Sequence, residues 1–245
     1  MNATDLFPTI AVSWPPRTAQ RVGPFMVPNA DAGGNRVSAA RLKDPTALGI
    51  TDAELNDAEA TMQAQGRLPL FQVLNHQDGL SDALDTRGYI ARDHTDLLLI
   101  QAADLAAAPP PVTAFTIWPP LAIQTEIWDA GGIDAPRRAV MDRATFPKTS
   151  LFGRINDKPA GAAFVGMSGN VAMLHALEVV PMARRAGLAS TMMRAAADWA
   201  RKQGAEWFSV LVTQQNTQAQ RLYASLGLKA VGTYCYRVKT GGPTR

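Results

Sequence analysis

The run from Val171 to Val180 is apolar at every position except His175 and Glu178, and Pro181 ends it. A proline ring has no N–H to give a ladder, so a strand stops there. Directly afterwards, from about Gly187 to Gln203, Leu188, Met192, Ala196 and Trp199 recur near helical period on one face. A strand that delivers its chain into an amphipathic helix points to a sheet with helices packed on it.

The flanking sequence extends this pattern. Thr149 to Ile155 and Ala160 to Met167 read as strands separated by the turn Asn156-Asp157-Lys158-Pro159, and Ser168-Gly169-Asn170 turns into the Val171 strand. That is an antiparallel meander. Before it lie a strand from Val112 to Trp118 and helices near Leu121 to Ala130 and Ala135 to Arg143. After it, Gly204 stops the long helix. Trp207 to Val212 is a strand, Thr217 to Leu226 a helix halted by Gly227, and Leu228 to Val238 a last strand. The class is α/β, with a mixed sheet of the α+β type.

Two halves are expected. Ala106-Ala107-Ala108-Pro109-Pro110-Pro111 is a spacer composition, which sets residues 1–105 apart from 112–245 with 106–111 as linker. Pro15-Pro16, Pro24, Pro28 and Gly33-Gly34 break the first forty residues into an irregular region with brief strands.

Composition excludes several classes. With 47% hydrophobic and 18% charged residues the chain has the apolar content to fold. Its apolar runs are too short for a bilayer and its first residues do not read as a signal peptide, so the expectation is a cytoplasmic protein. Cys235 has no thiol partner, and His76, His94 and His175 lack metal-ligand spacing, so neither disulfide nor metal is expected. The net charge of +3 is small and dispersed, which argues against a nucleic-acid groove.

A helix that starts where a strand ends presents unpaired N–H groups and its positive dipole end, an anion site. Gly187 lets a bulky anion approach the backbone, and Arg184 and Arg185 add charge. Neither a phosphate-loop ending nor a dinucleotide glycine spacing is present, so the anion is a pyrophosphate in some other cofactor. Arg184-Arg185-Ala186-Gly187-Leu188-Ala189 resembles the Arg/Gln-x-x-Gly-x-Gly/Ala signature of the GNAT superfamily of acyl-CoA N-acyltransferases. Asn216, Tyr223 and Leu226-Gly227-Leu228 follow in the family's order, and the resemblance covers about residues 112 to 240.

The resemblance implies a site. Arg184, Arg185, Ala186, Gly187, Leu188, Ala189 and Ser190 would hold the coenzyme A pyrophosphate, and Asn216 would fix the pantetheine arm or cap the helix at Thr217. Backbone groups of Leu177, Val179 and Val180, at a bulge between two splayed parallel strands, would polarise the acyl carbonyl. Tyr223 would protonate the leaving thiolate. A primary amine is mostly protonated at neutral pH, so a base is needed. Glu178 is the first candidate and His175 the rival; in a regular strand the two face opposite ways unless a bulge intervenes. The function expected is acetyl transfer from acetyl-CoA, as co-substrate and without a metal, to a primary amine on a small molecule or peptide. The alternative is a non-catalytic acyl-CoA-binding or sensing protein. A monomer or homodimer suits either.

The first half also lies along the second at offsets of 135 to 139. Asn35 to Ser38 sets against Asn170 to Met173, Gly49 against Gly187, Gly66 against Gly204, Phe71 to Leu74 against Phe208 to Leu211, and Gly88-Tyr89 against Gly227-Leu228. The expectation is two tandem GNAT-like copies. In the first, Thr46-Ala47-Leu48-Gly49-Ile50-Thr51 keeps the glycine but neither arginine, Asp52 and Glu54 follow, and Leu84 replaces the tyrosine, so that copy is degenerate.

Overall fold

In the computed structural model, which describes residues 1–29, 32–47 and 49–239, a turn of 3-10 helix leads into α1 (Phe7–Ser13). The first half continues with β1 (Thr18–Val22), β2 (Phe25–Asn29), α2 (Asn35–Ser38), β3 (Arg41–Leu42), α3 (Asp52–Ala64), β4 (Leu70–Leu74), α4 (Asp78–Thr86), β5 (Tyr89–Gln101) and α5 (Ala102–Leu105). The second comprises β6 (Ala114–Ile117), α6 (Ala122–Ala130), α7 (Ala135–Arg143), β7 (Lys148–Ile155), β8 (Lys158–Ser168), β9 (Val171–Val179), α8 (Leu188–Lys202), β10 (Trp207–Thr213), α9 (Thr217–Ser225) and β11 (Lys229–Lys239). Every helix and strand expected of the second half is present within a few residues of its expected ends.

Strands from both halves join in one eight-stranded mixed sheet, ordered β4-β11-β5-β10-β9-β8-β7-β6. Only β9 and β10 run parallel within it. Strand β5 lies between β10 and β11, although the stretch 106–111 separates it from them in sequence.

The centre of this sheet maps onto itself when residues are displaced by 137. The β4–β11 pair Leu70↔Val238 becomes the β10–β5 pair Trp207↔Gln101, and Leu74↔Tyr234 becomes Leu211↔Leu97. Between β5 and β11, Tyr236↔Arg92 becomes Lys229↔Leu99, while Thr233↔Asp96 maps onto itself. Even the two register shifts of this ladder exchange.

The N-terminal end departs from its expected irregularity. Leu6, Phe7, Ile10 and Trp14, spaced as one helical face, bury α1 and its approach against strands of both halves. Their period is visible in the sequence, though Pro8 at the helix start and the later prolines obscure it. Asn35 to Ser38 is also not a strand. After Gly34, at φ 91°, these residues form the single helical turn α2, and the parallel bridge to β4 comes from Ala40 opposite Phe71.

In β9, Ala172 and Leu174 face α8, whereas Val171 and Met173 face the α1 side. Helices α6 and α7 cover Phe164 and Ala162 of β8 on the α1 side with Ile127, Trp128, Val140 and Met141. On the other side, α8 buries Leu188, Met192, Met193 and four alanines, and it lies very close to the sheet. A Cβ on Gly153 or Gly161 would meet the Met192 sulfur at 2.6 or 2.7 Å.

Candidate active site

The site grows out of an interruption in β9. Its antiparallel ladder with β8 shifts register between Ala162 and Phe164, where Glu178 and His175 are their partners. One extra residue is therefore accommodated on β9, and Ala176 takes φ 52° to do so. The Trp128 indole N–H braces this bulge by donating to the Ala176 carbonyl at 2.8 Å. Parallel pairing with β10 ends at Leu174↔Val210, and beyond it the two strands diverge. Backbone polar groups of the bulge thus border a gap between parallel strands.

The bulge changes which side chains share a face. His175 packs between Trp14 and Phe164, while the Glu178 side chain lies against Gly131, where an added Cβ would meet its Cγ at 2.5 Å. Both therefore stand on the side covered by α6 and α7. Leu177 and Val179 turn to the α8 side. Of the three backbone positions expected at the gap, Val180 has its N–H committed to the Ala160 carbonyl at 2.9 Å. It is not a free donor, because the chain beyond β9 still follows β8 there.

The loop after β9 has two residues at positive φ, Arg185 at 67° and Gly187 at 82°. Gly187 is the residue from which α8 starts, with no side chain capping the helix and open space where a Cβ would point. The first-turn N–H groups, those of Leu188, Ala189 and Ser190, stand at an uncapped helix start. Ala186 and Arg185 are exposed beside them. Arg184 instead folds back on its own strand. Its Nε donates to the Val179 carbonyl at 3.0 Å and its Nη2 meets Glu178 Oε1 at 3.1 Å.

The corresponding helix start in the first half is closed. Gly49 has φ 77°, but Thr51 and Glu54 form a reciprocal cap on α3, the Thr51 N–H donating to Glu54 Oε2 at 2.9 Å. Leu48, just before Gly49, lies outside the described residues. Leu84 is fully buried in α4.

Across the divergence, Tyr223 is buried between α9 and the sheet, and burial pushes its phenol up to about 12. Its hydroxyl pairs with no group among the described residues. Asn216 caps α9, its Oδ1 accepting from the Ala219 N–H at 3.1 Å.

On the α1 side a cavity of about 310 Å³ opens beside the bulge, bordered by Ala176 of β9 and by Leu211 and Thr213 of β10. His175 reaches its wall from within a fixed chain of hydrogen bonds. Arg36 Nη1, which can only donate, lies 3.1 Å from His175 Nδ1, so that nitrogen accepts. The other, Nε2, then carries the proton toward Ser13 Oγ at 2.8 Å, and Ser13 donates to the Thr9 carbonyl at 2.6 Å. Burial and the Arg36 charge hold the imidazole well below the usual histidine range. With both nitrogens engaged, His175 has no free lone pair to take a proton from an amine. Ser13, Trp14, Arg36, Tyr234 and Tyr236 at this site carry no functional signal in the sequence. They come from the two ends of the chain and share no motif.

Among the described residues no helix is long and apolar enough to cross a membrane. Residues 118–228 match the model of the acetyltransferase (GNAT) family. The chloroplastic GCN5-related N-acetyltransferase 6 of Arabidopsis thaliana is 36% identical over 107 residues. That region is 42% of this chain and 34% of that protein, so about a third of the relative's length is matched. A GCN5-related N-acetyltransferase from Kribbella flavida has the same fold, with TM-score 0.77 over 99% of this chain and 97% of that one at 18% identity. A tandem GNAT protein from the clavulanic acid biosynthesis pathway aligns with TM-score 0.60 over 97% and 88% of the two chains at 14% identity.

Proposed function

Residues 118–228 belong to the acetyltransferase (GNAT) family, and from that premise we propose that this N-acyltransferase carries an acetyl group from acetyl-CoA directly to a primary amine. The observation that carries the reading is the pairing of a gap between parallel strands with an uncapped, glycine-led helix start at the end of one of them. The residues fit the co-substrate. First-turn N–H groups of α8 and Arg185 suit its pyrophosphate, and open space at Gly187 admits it. Arg184 would have to leave the Val179 carbonyl and Glu178 to join them.

In the transfer, amine nitrogen attacks the thioester carbon, the C–S bond breaks, and one proton passes from nitrogen while sulfur receives another. Backbone N–H groups between Ala176 and Val179 would stabilise the carbonyl oxygen as charge develops there. Glu178, directly or through a water, would take the amine's proton once Arg184 has moved off it. Tyr223 stays protonated at neutral pH and has no partner among the described residues, which suits it to give a proton to the departing sulfur. Asn216 holds α9 in place for that tyrosine.

We also read the chain as a duplication, with 1–105 a degenerate copy, 106–111 the link and 112–245 the catalytic copy. The support is the ladder that maps onto itself at a displacement of 137 and the closed cap of α3 where α8 is open. A cytoplasmic setting goes with this reading.

Calorimetric titration of acetyl-CoA tests it, with an Arg184→Ala, Arg185→Ala double variant beside the wild type. Micromolar binding weakened tenfold or more in the variant is expected. No binding to the wild type would overturn the reading. Binding without thiol release to any amine would leave the non-catalytic acyl-CoA-binding alternative.

A further inference from the structure

The cavity beside the bulge has a guanidinium in its wall, Arg36, that no carboxylate among the described residues neutralises. Arg36 lies against the face of Trp14, with its carbon 5.7 Å from the ring centre, and beside the hydroxyls of Tyr234 and Tyr236. Its Nη1 donates to neutral His175, and the two tyrosine hydroxyls are its other polar neighbours. Its Nε is buried and lacks any partner, and among the described residues no carboxylate pairs with it. A cation withdrawn from water without an anion is costly, and proteins ordinarily pair it. Here the groups around it are neutral, and the cavity reaches it.

The same cavity is bordered by one carboxylate, that of Asp93, which sits in the irregular part of β5 at φ 53° and accepts from Asn35 Nδ2 at 3.2 Å. A second guanidinium, Arg137, borders it too but already donates to the Gly132 carbonyl at 2.8 Å. The cavity thus offers a cation that lacks a counter-ion among the described residues, a carboxylate, and a border at Ala176 beside the strand gap. At about 310 Å³ it stands at the lower end of small-molecule pockets, with room for a metabolite rather than a folded segment.

We infer that the acceptor is a small amine that also carries a carboxylate, an amino acid by chemical class, with its carboxylate held by Arg36 and its amino group directed past Asp93 toward the bulge. This rests on the acyltransferase reading of the same site and adds the class of substrate to it. Arg36 orients the acceptor by a charge-assisted hydrogen bond that a neutral amide cannot receive. Selectivity of this kind comes from leaving a buried charge unpaired when the wrong molecule binds.

The test compares the twenty protein amino acids with the corresponding primary amides as acceptors, following thiol release from acetyl-CoA. In parallel, N-acetylalanine and N-acetylalaninamide are titrated into the protein to read anion recognition without turnover. The acid is expected to exceed its amide roughly ten- to a hundredfold in kcat/KM and to be the only one of the N-acetyl pair to bind. In Arg36→Gln that preference falls toward one, and in Arg36→Lys it is partly kept; acetyl-CoA titration reports whether each variant is folded. Amides used as well as acids, or a preference unchanged in Arg36→Gln, would overturn the inference. So would the absence of N-acetylalanine binding together with no turnover of any amino acid. Failure of acetyl-CoA to bind, with N-acetylalanine still bound at Arg36, would instead overturn the acyltransferase reading alone.

Discussion

Tyr223 and His175 separate two uses of burial. Both side chains are buried, yet the phenol hydroxyl has no hydrogen-bond partner among the described residues while the imidazole is hydrogen-bonded at both nitrogens. Tyr223→Phe keeps the packing and removes only the proton. We expect kcat to fall on the order of a hundredfold with acetyl-CoA affinity retained, measured by thiol release and calorimetry. An unchanged kcat would assign the tyrosine to packing alone. For His175 the signature is in stability. Its folded pKa is depressed, so the unfolded chain takes up the proton more readily, and the stability it contributes is complete above about pH 6.5. It should be lost as pH falls toward the folded value, by at most about 1.4 kcal/mol per pH unit. Urea melts from pH 7 to 5 should show this slope in the wild type and a shallower one in His175→Gln.

The elements show what a linear reading could see. Helix α8 and strands β7 to β11 announce themselves by period, and Pro181, Gly204 and Gly227 mark their ends. The bulge does not, because Ala176 adopts φ 52° without a glycine or asparagine to signal it; the family resemblance implies one, and the register of the facing strand places it at Ala176. Arg36 and Ser13 reach His175 across 139 and 162 positions of sequence, and no local pattern encodes such a meeting. The tightness of α8 on the sheet is equally a product of three elements, since Gly153, Gly161 and Met192 meet only after folding. Gly161→Ala should cost about 1–3 kcal/mol in chemical denaturation, as Met192 and the helix start are pushed outward. Acetyl-CoA affinity should weaken with it, since the pyrophosphate site proposed above is that same helix start.

At the scale of the whole molecule, the strand order binds the halves together. Removing residues 1–111 takes β5 from between β10 and β11 and strips α1 from β8 and β9. The fragment 112–245 is expected to be insoluble or to unfold without a cooperative transition; a soluble, active fragment would contradict this arrangement. The ladder that exchanges with itself about the Thr233↔Asp96 pair has a further result. Pairs built from separate chains come apart on dilution, whereas a partner carried on the same chain stays at a fixed and high local concentration. The β5–β11 seam therefore persists even where a cell holds only a handful of these molecules. On the duplication proposed above, separate encoding of the two sides would leave the one with the closed helix start free to drift into a substrate-holding wall while the other keeps the chemistry.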